Sequence, residues 1–156
     1  MKVIIIGSTH AGTATIKSIL KHNSGVEIDV YEKNDNVSFL SCGIALTVQG
    51  EVKEINDLFY SSPAILEEAG ANIHMNHEVT AVDTINKTVS VTNLVTGVSS
   101  VESYDKLVAT TGSWPIIPPI PGIEDQRIVL SKNYTHAKAL INYANDDRIK
   151  RVVIIG

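Results

Sequence analysis

The chain of 156 residues has a single cysteine, one tryptophan and two phenylalanines, and aromatics make up only 5% of it. One thiol excludes an intrachain disulfide framework and any cysteine-rich metal site. His22, His74, His77 and His136 stand at no metal-ligand spacing and read as surface residues. Positive charge is also scarce: 13 Lys and Arg face 17 Asp and Glu, a net charge of −4. A chain without a basic excess is not expected to bind nucleic acid. No apolar run approaches the roughly 20 residues that cross a bilayer. No charged-then-apolar leader precedes the first strand, so export and a membrane partner are not expected, and a cytoplasmic location is. What remains, 44% hydrophobic and 19% charged, is the composition of a globular α/β domain.

The order of patterns gives the architecture. Lys2 to Gly7 is a β-branched run ending at glycine, as in a strand buried on both faces. Ala11 to His22 follows a helical period, and Val26 to Tyr31 is a second strand closed by Glu32. Strand, glycine turn, helix and strand form a βαβ unit, whose two strands run parallel. Ser62-Pro63 opens a helix that Gly70 stops, and Asn72 to Met75 is a short strand. Val79–Ile85, Thr88–Leu94 and Val98–Tyr104, punctuated by Asn86-Lys87 and Thr96-Gly97, read as a three-stranded antiparallel β-meander. Leu107 to Thr111 returns to a buried strand. Pro115, Pro118, Pro119 and Pro121 then mark an extended connector, followed by a helix from about Tyr134 to Asn145. Arg151 to Gly156 repeats the opening strand almost letter for letter, which predicts the start of a second βαβ unit and a longer parent protein.

Gly7-Ser8-Thr9-His10-Ala11-Gly12 joins the first strand to the first helix. A glycine-rich turn in that place aims backbone N–H groups and a helix N-terminus at a pyrophosphate. The spacing is that of G-x-G-x-x-G with Thr9 in place of the middle glycine, and no Lys-Ser/Thr follows Gly12, which excludes a Walker-type loop. Glu32 ends the second strand 20 residues after Gly12, where a carboxylate can bond both ribose hydroxyls of a dinucleotide. Cys42 is either a small buried hydrophobe or a reactive thiol. A helix starting at Cys42 would favour the thiolate, and Gly43 would admit a flat ligand. With no second cysteine, redox cycling would pass through a sulfenic acid or a mixed disulfide. His10 is either a solvent-facing turn residue or an acid/base group beside the ligand. Thr110-Thr111-Gly112-Ser113 either faces the ligand crevice at the sheet's carboxyl edge or simply closes a strand.

Together, GSTHAG at 7–12, YEKND at 31–35, SFLSCG at 38–43, YDKLVATTGSWP at 104–115 and PPIPGI at 118–123 resemble the flavin-dependent NADH oxidase and NADH peroxidase group of the pyridine nucleotide-disulfide oxidoreductases. VVIIG at 152–156 is similar to the opening of that family's NADH-binding domain. SFLSCGIAL, LFYSSP at 58–63 and TTGSWP look most like the water-forming oxidases. Peroxidases share SFLSCG, and coenzyme A-disulfide reductases carry asparagine where Ser41 stands. The resemblance implies a Rossmann-like FAD-binding domain, with its N-terminal part at 1–113, a connector and helix at 114–150, and the first strand of an NAD(H)-binding domain at 151–156. The whole protein would be a homodimer or homotetramer, and this chain about its first third.

By the same resemblance, Gly7, Ser8, Thr9, His10, Ala11 and Gly12 hold the FAD pyrophosphate and Glu32 the adenosine ribose. Lys33 lies beside the adenosine, and Val79 lines the adenine site through its backbone. Thr110, Thr111, Gly112 and Ser113 pass near the flavin nucleotide, and Lys132 contacts it from the connector. Cys42 is the redox centre and His10 the nearby acid/base group. NADH is the hydride donor and O2 the acceptor. The Cys42 thiolate captures peroxide, giving water and a sulfenic acid that a second NADH reduces. In the peroxidase alternative Cys42 attacks H2O2 directly. A non-enzymatic FAD- or NAD-binding fold with an inert Cys42 is the third reading.

Overall fold

The computed structural model describes residues 1–155, in which the elements run β1 (Lys2–Ile6), α1 (His10–His22), β2 (Glu27–Glu32), α2 (Ile44–Gln49), α3 (Pro63–Glu68), β3 (Asn72–Met75), β4 (His77–Asp83), β5 (Thr88–Asn93), β6 (Ser99–Ser103), β7 (Lys106–Ala109) and α4 (Tyr134–Ala144). They divide into two compact units, Met1–Ser38 with Phe59–Gly112, and Phe39–Leu58 with the chain from Ser113 onward.

In the first unit, β1 explains why its sequence is apolar without interruption. The sheet has the order β3-β2-β1-β7 and all its pairings are parallel. Alternate side chains of a strand point to opposite faces. Val3 and Ile5 therefore pack with Ile16 of α1, Leu66 of α3, Ile28, Val30, Val37 and Ala71. Ile4 points the other way, into a cluster with Tyr31, Val89 and Val91. The second cluster is the underside of the meander β4-β5-β6, which is antiparallel throughout and has a register shift between Val79 and Ala81. Both faces of β1 are thus covered, and Ile4 and Ile5 are fully buried.

The helix ends follow their local chemistry. Ser62 caps α3, its side chain accepting from the Ile65 N–H, and Pro63 stands in the first turn where its missing N–H costs nothing. Lys21 and His22 lie in the last turn of α1, where positive charge suits the helix dipole. Among the described residues no helix is long and apolar enough to cross a membrane.

The second unit holds α2, α4 and the connector. The Phe39 and Tyr134 rings meet edge-on at 5.6 Å, and the Tyr134 hydroxyl donates to Asn56 Oδ1 at 3.1 Å. Asn133 caps α4 by accepting from the His136 N–H at 2.9 Å. His136 is not the plain surface residue expected: it lies 5.3 Å from the Trp114 ring, its Nδ1 is buried, and burial pushes its pKa down. Residues 114–123 carry no helix or strand, as the prolines predict. The expected strand at the C-terminal end does not form in Arg151–Ile155, which is irregular, with Val152 to Ile155 exposed. A strand is defined by a hydrogen-bonded neighbour, and β-branched sequence without one stays irregular. Gly156, the last residue of that expected strand, lies outside the described residues.

One charged cluster stands at the sheet's amino-terminal side. Asp29 of β2 is buried and pairs with Lys2 Nζ at 2.9 Å, while Asn72 Nδ2 donates to it at 2.9 Å and His74 Nε2 lies at 3.3 Å. Burial works to raise the Asp29 pKa, but the hydrogen bonds from Lys2, Asn72 and His74 and the Lys2 charge outweigh it, leaving the carboxyl below its ordinary value. The hydrogen bond to Asp29 in turn raises Lys2. Asp29 therefore contributes stability that is complete above its unfolded pKa of about 3.9 and is lost as pH falls through the lower folded value. Lys2 contributes stability present below its unfolded pKa of about 10.4 and lost as pH rises through its raised folded value. Urea midpoints between about pH 2 and 5 should fall less steeply with acid in D29N than in the wild type.

Candidate functional site

The carboxyl ends of β1, β2 and β7 meet at one edge, and the turn after β1 is fitted there by backbone contact. Gly7 has φ +92°, a conformation that suits glycine. Its N–H donates to the Tyr31 carbonyl at 2.9 Å, which ties the turn to β2. Thr110, just past β7, ties it on the other side: its Oγ1 donates to the Ile6 and Gly7 carbonyls at 2.8 and 2.9 Å. A Cβ on Gly12 would collide with the Gly7 carbonyl oxygen, so α1 can lie this close to the turn only with glycine there. α1 then starts with Thr9 giving no side-chain cap and with no acidic residue in its first turn. Nothing on those side chains offsets the positive end of the helix dipole, which suits an anion.

Ser8 and Glu32 lock the turn from inside. Ser8 is fully buried, and its N–H and Oγ donate to Glu32 Oε2 at 2.8 and 3.0 Å. Its carbonyl accepts from the Ser38 N–H and from Thr13 Oγ1, both at 3.0 Å. Glu32 Oε1 accepts from the Asn34 N–H at 2.9 Å and from Asn34 Nδ2 at 2.6 Å. Beside this carboxylate opens a cleft of about 230 Å³ lined by Gly7, Thr9, Glu32, Lys33, Val79, Thr110 and Thr111, with Ile6, Tyr31, Asn34, His77 and Glu78. The structure thus brings together seven of the expected cofactor residues. The Ser8 side chain instead braces Glu32 from beneath. Gly112, with φ +72°, ends the first unit, whereas Cys42, Ser113 and Lys132 belong to the second.

His10, the first residue of α1, is exposed, with Nδ1 3.2 Å from the Tyr60 hydroxyl and the two rings 5.6 Å apart. In the sequence Tyr60 is marked only as part of LFYSSP at 58–63, with no role assigned. Cys42 is exposed in this chain. It sits in a single 3-10 turn, Ser41–Gly43, and α2 begins after it at Ile44 rather than at the cysteine. Gly43 has a packing reason: the Leu58 side chain occupies the place of its Cβ. Ser38 has φ +61° and is fully buried; its Oγ donates to the Ser61 carbonyl at 2.8 Å and accepts from the Ser61 N–H at 2.9 Å.

Two histidines expected at the surface are instead built into the cleft's surroundings. His74 stacks on Tyr31 with ring centroids 4.7 Å apart. His77 Nδ1 lies 2.8 Å from the Met75 carbonyl, to which it can only donate. Asn93 Oδ1 accepts from the Val95 and Thr96 N–H groups, which turns its Nδ2 toward His77 Nε2 at 3.2 Å. His77 is thereby held as the Nδ1–H tautomer. These are contacts between separate strands, which neither spacing nor periodicity reports.

A parallel sheet whose first glycine turn and second-strand carboxylate converge on one cleft defines a Rossmann-type dinucleotide-binding domain. The profile of the pyridine nucleotide-disulphide oxidoreductases matches residues 1–156, and the chain belongs to that family. It is 55% identical over 156 residues to an NADH oxidase of Enterococcus faecalis, covering 100% of this chain and 34% of that protein. An NADH oxidase of Mycoplasma genitalium is 38% identical over 172 residues, covering 99% of this chain and 36% of that protein. Among solved structures, the water-forming NADH oxidase from Lactobacillus brevis bound to NADH superposes with a TM-score of 0.89 at 55% identity, over 91% of this chain and 32% of that one. The chain spans about a third of the length of the curated relatives it matches.

Gly12→Ala tests the crossing directly. The added methyl meets backbone with no side chain to give way, so the variant should lose about 1–3 kcal/mol of stability or more. Urea unfolding measures it, and an unchanged midpoint would mean that the turn is looser than the contact requires.

Proposed function

We propose that the protein is an FAD-dependent NADH oxidase that reduces O2 to water, with Cys42 as its redox-active thiol. The observation that carries this reading is the convergence of the Gly7–Gly12 turn and Glu32 on one cleft, in a chain 55% identical to an NADH oxidase. The cleft suits the adenosine half of FAD. Glycine backbone and an unopposed helix start lie on one side, a carboxylate at the strand end, and Val79 offers apolar contact.

In this reading the turn 7–12 holds the pyrophosphate, Glu32 the ribose, and Lys33 and Val79 the adenosine. Thr110 to Ser113 and Lys132 hold the flavin nucleotide. FAD bound there would supply the hydride acceptor for NADH and the electrons that reduce O2. The chain's own chemistry is the handling of peroxide. The Cys42 thiolate attacks one peroxide oxygen, the O–O bond breaks, and the hydroxide that leaves takes a proton to become water. Cys42 is left as a sulfenic acid, which a second NADH returns to thiolate with release of another water. His10 is the acid that supplies the proton. Its Nδ1 is engaged by Tyr60, so Nε2 is the nitrogen that moves it. An NAD(H)-binding domain beginning at Arg151, a cytoplasmic location and a homodimeric or homotetrameric assembly complete the proposal.

Oxygen and peroxide balance in the intact, flavin-loaded protein tests this. Two NADH per O2 without free peroxide is expected for the wild type. C42S should consume one NADH per O2 and release H2O2. NADH loss that requires added H2O2 would replace the oxidase with a peroxidase, and a protein that neither holds flavin nor oxidises NADH would end this reading altogether.

A further inference from the structure

We propose that the Asn34 side chain holds the ribose position on Glu32 while the cleft is empty of cofactor and surrenders it when FAD binds. This rests on the reading of the cleft as the adenosine site of FAD.

An ionised carboxylate offers about four acceptor positions. On Glu32 four donors already lie within hydrogen-bond distance: the Ser8 N–H and Oγ on Oε2, and the Asn34 N–H and Nδ2 on Oε1. A ribose hydroxyl therefore has to replace one of them. Both Ser8 donors belong to a fully buried residue that does not line the cleft. The Asn34 N–H is fixed by its backbone, because the Asn34 carbonyl accepts from the Asn76 N–H at 3.2 Å. Only Asn34 Nδ2 sits on a side chain that lines the cleft and can leave by rotating about its own bonds. The exchange takes place at Oε1, and Oε2 keeps Ser8.

The contact has a reason in the cofactor-free protein. Glu32 is only 3% exposed, and a buried carboxylate oxygen short of donors is unfavourable. Asn34 supplies that donor, so it stabilises the empty protein and opposes the cofactor at the same atom. A purely structural asparagine would act in one direction only: its loss would weaken the fold and the cofactor site together.

The test uses the intact protein stripped of flavin, with FAD as the probe. FAD dissociation constants are read from flavin fluorescence and unfolding midpoints from the cofactor-free form. N34A should bind FAD roughly tenfold more tightly while its cofactor-free form unfolds at a lower midpoint. N34S, which retains a turn-forming side chain too short for the same contact, should move both readings in the same directions and serves if N34A does not fold. Equal or weaker FAD binding in these variants overturns the exchange. A wild-type protein that binds no FAD overturns the cofactor assignment and the exchange with it, and its own titration separates that result from a failure of Asn34 alone.

Discussion

Backbone against backbone at Gly7 and Gly12 is the contact on which the first unit depends. With no Cβ between them, the first turn of α1 rests on the Gly7 carbonyl, and the helix start is brought to the carboxyl edge of the sheet. The same carbonyl is gripped by Thr110 from β7, and the Gly7 N–H is held by Tyr31 from β2. One residue thus ties the ends of three parallel strands, and the cleft lies where those ends meet. A larger side chain at Gly12 would push the helix off the sheet and separate the groups that line the cleft.

The buried acids of this unit keep their partners. β2 carries two buried acids, and each has its own donors. Asp29 is met by Lys2, Asn72 and His74, and Glu32 by Ser8 and Asn34. Buried charge is tolerated when its hydrogen bonds are complete. The two acids differ in what surrounds them: Asp29 is closed by neighbouring strands, whereas Glu32 looks into a cleft through a side chain that can move.

Much of the first unit was legible because its signals are local. A continuous apolar run marked β1, glycine spacing marked the turn, Ser62-Pro63 marked the start of α3, and Asn86-Lys87 and Thr96-Gly97 marked the meander's corners. Glu32 was legible from its distance to the turn. The donors that fill it were not, since Asn34 and Ser8 are ordinary polar residues until the fold aims them. Tyr60 beside His10 and Asn93 beside His77 depend on pairings between separate elements. The packing of Leu58 against Gly43 was not legible either, because it joins residues far apart in the sequence. Val152 to Ile155 favour a strand by composition, but pairing decides whether one exists, and within this chain they have none.

The paired hydroxyl of Ser38 has an evolutionary consequence. It stitches the chain to Ser61 by two hydrogen bonds, close to the points where residues 39–58 leave and rejoin the first unit. The strands on either side are held in register by their own ladders and by this stitch, not by the length of what lies between. The segment that carries the thiol can therefore lengthen, shorten or change composition without any strand shifting by a residue. A scaffold built this way can alter that segment while keeping the cleft beside Glu32.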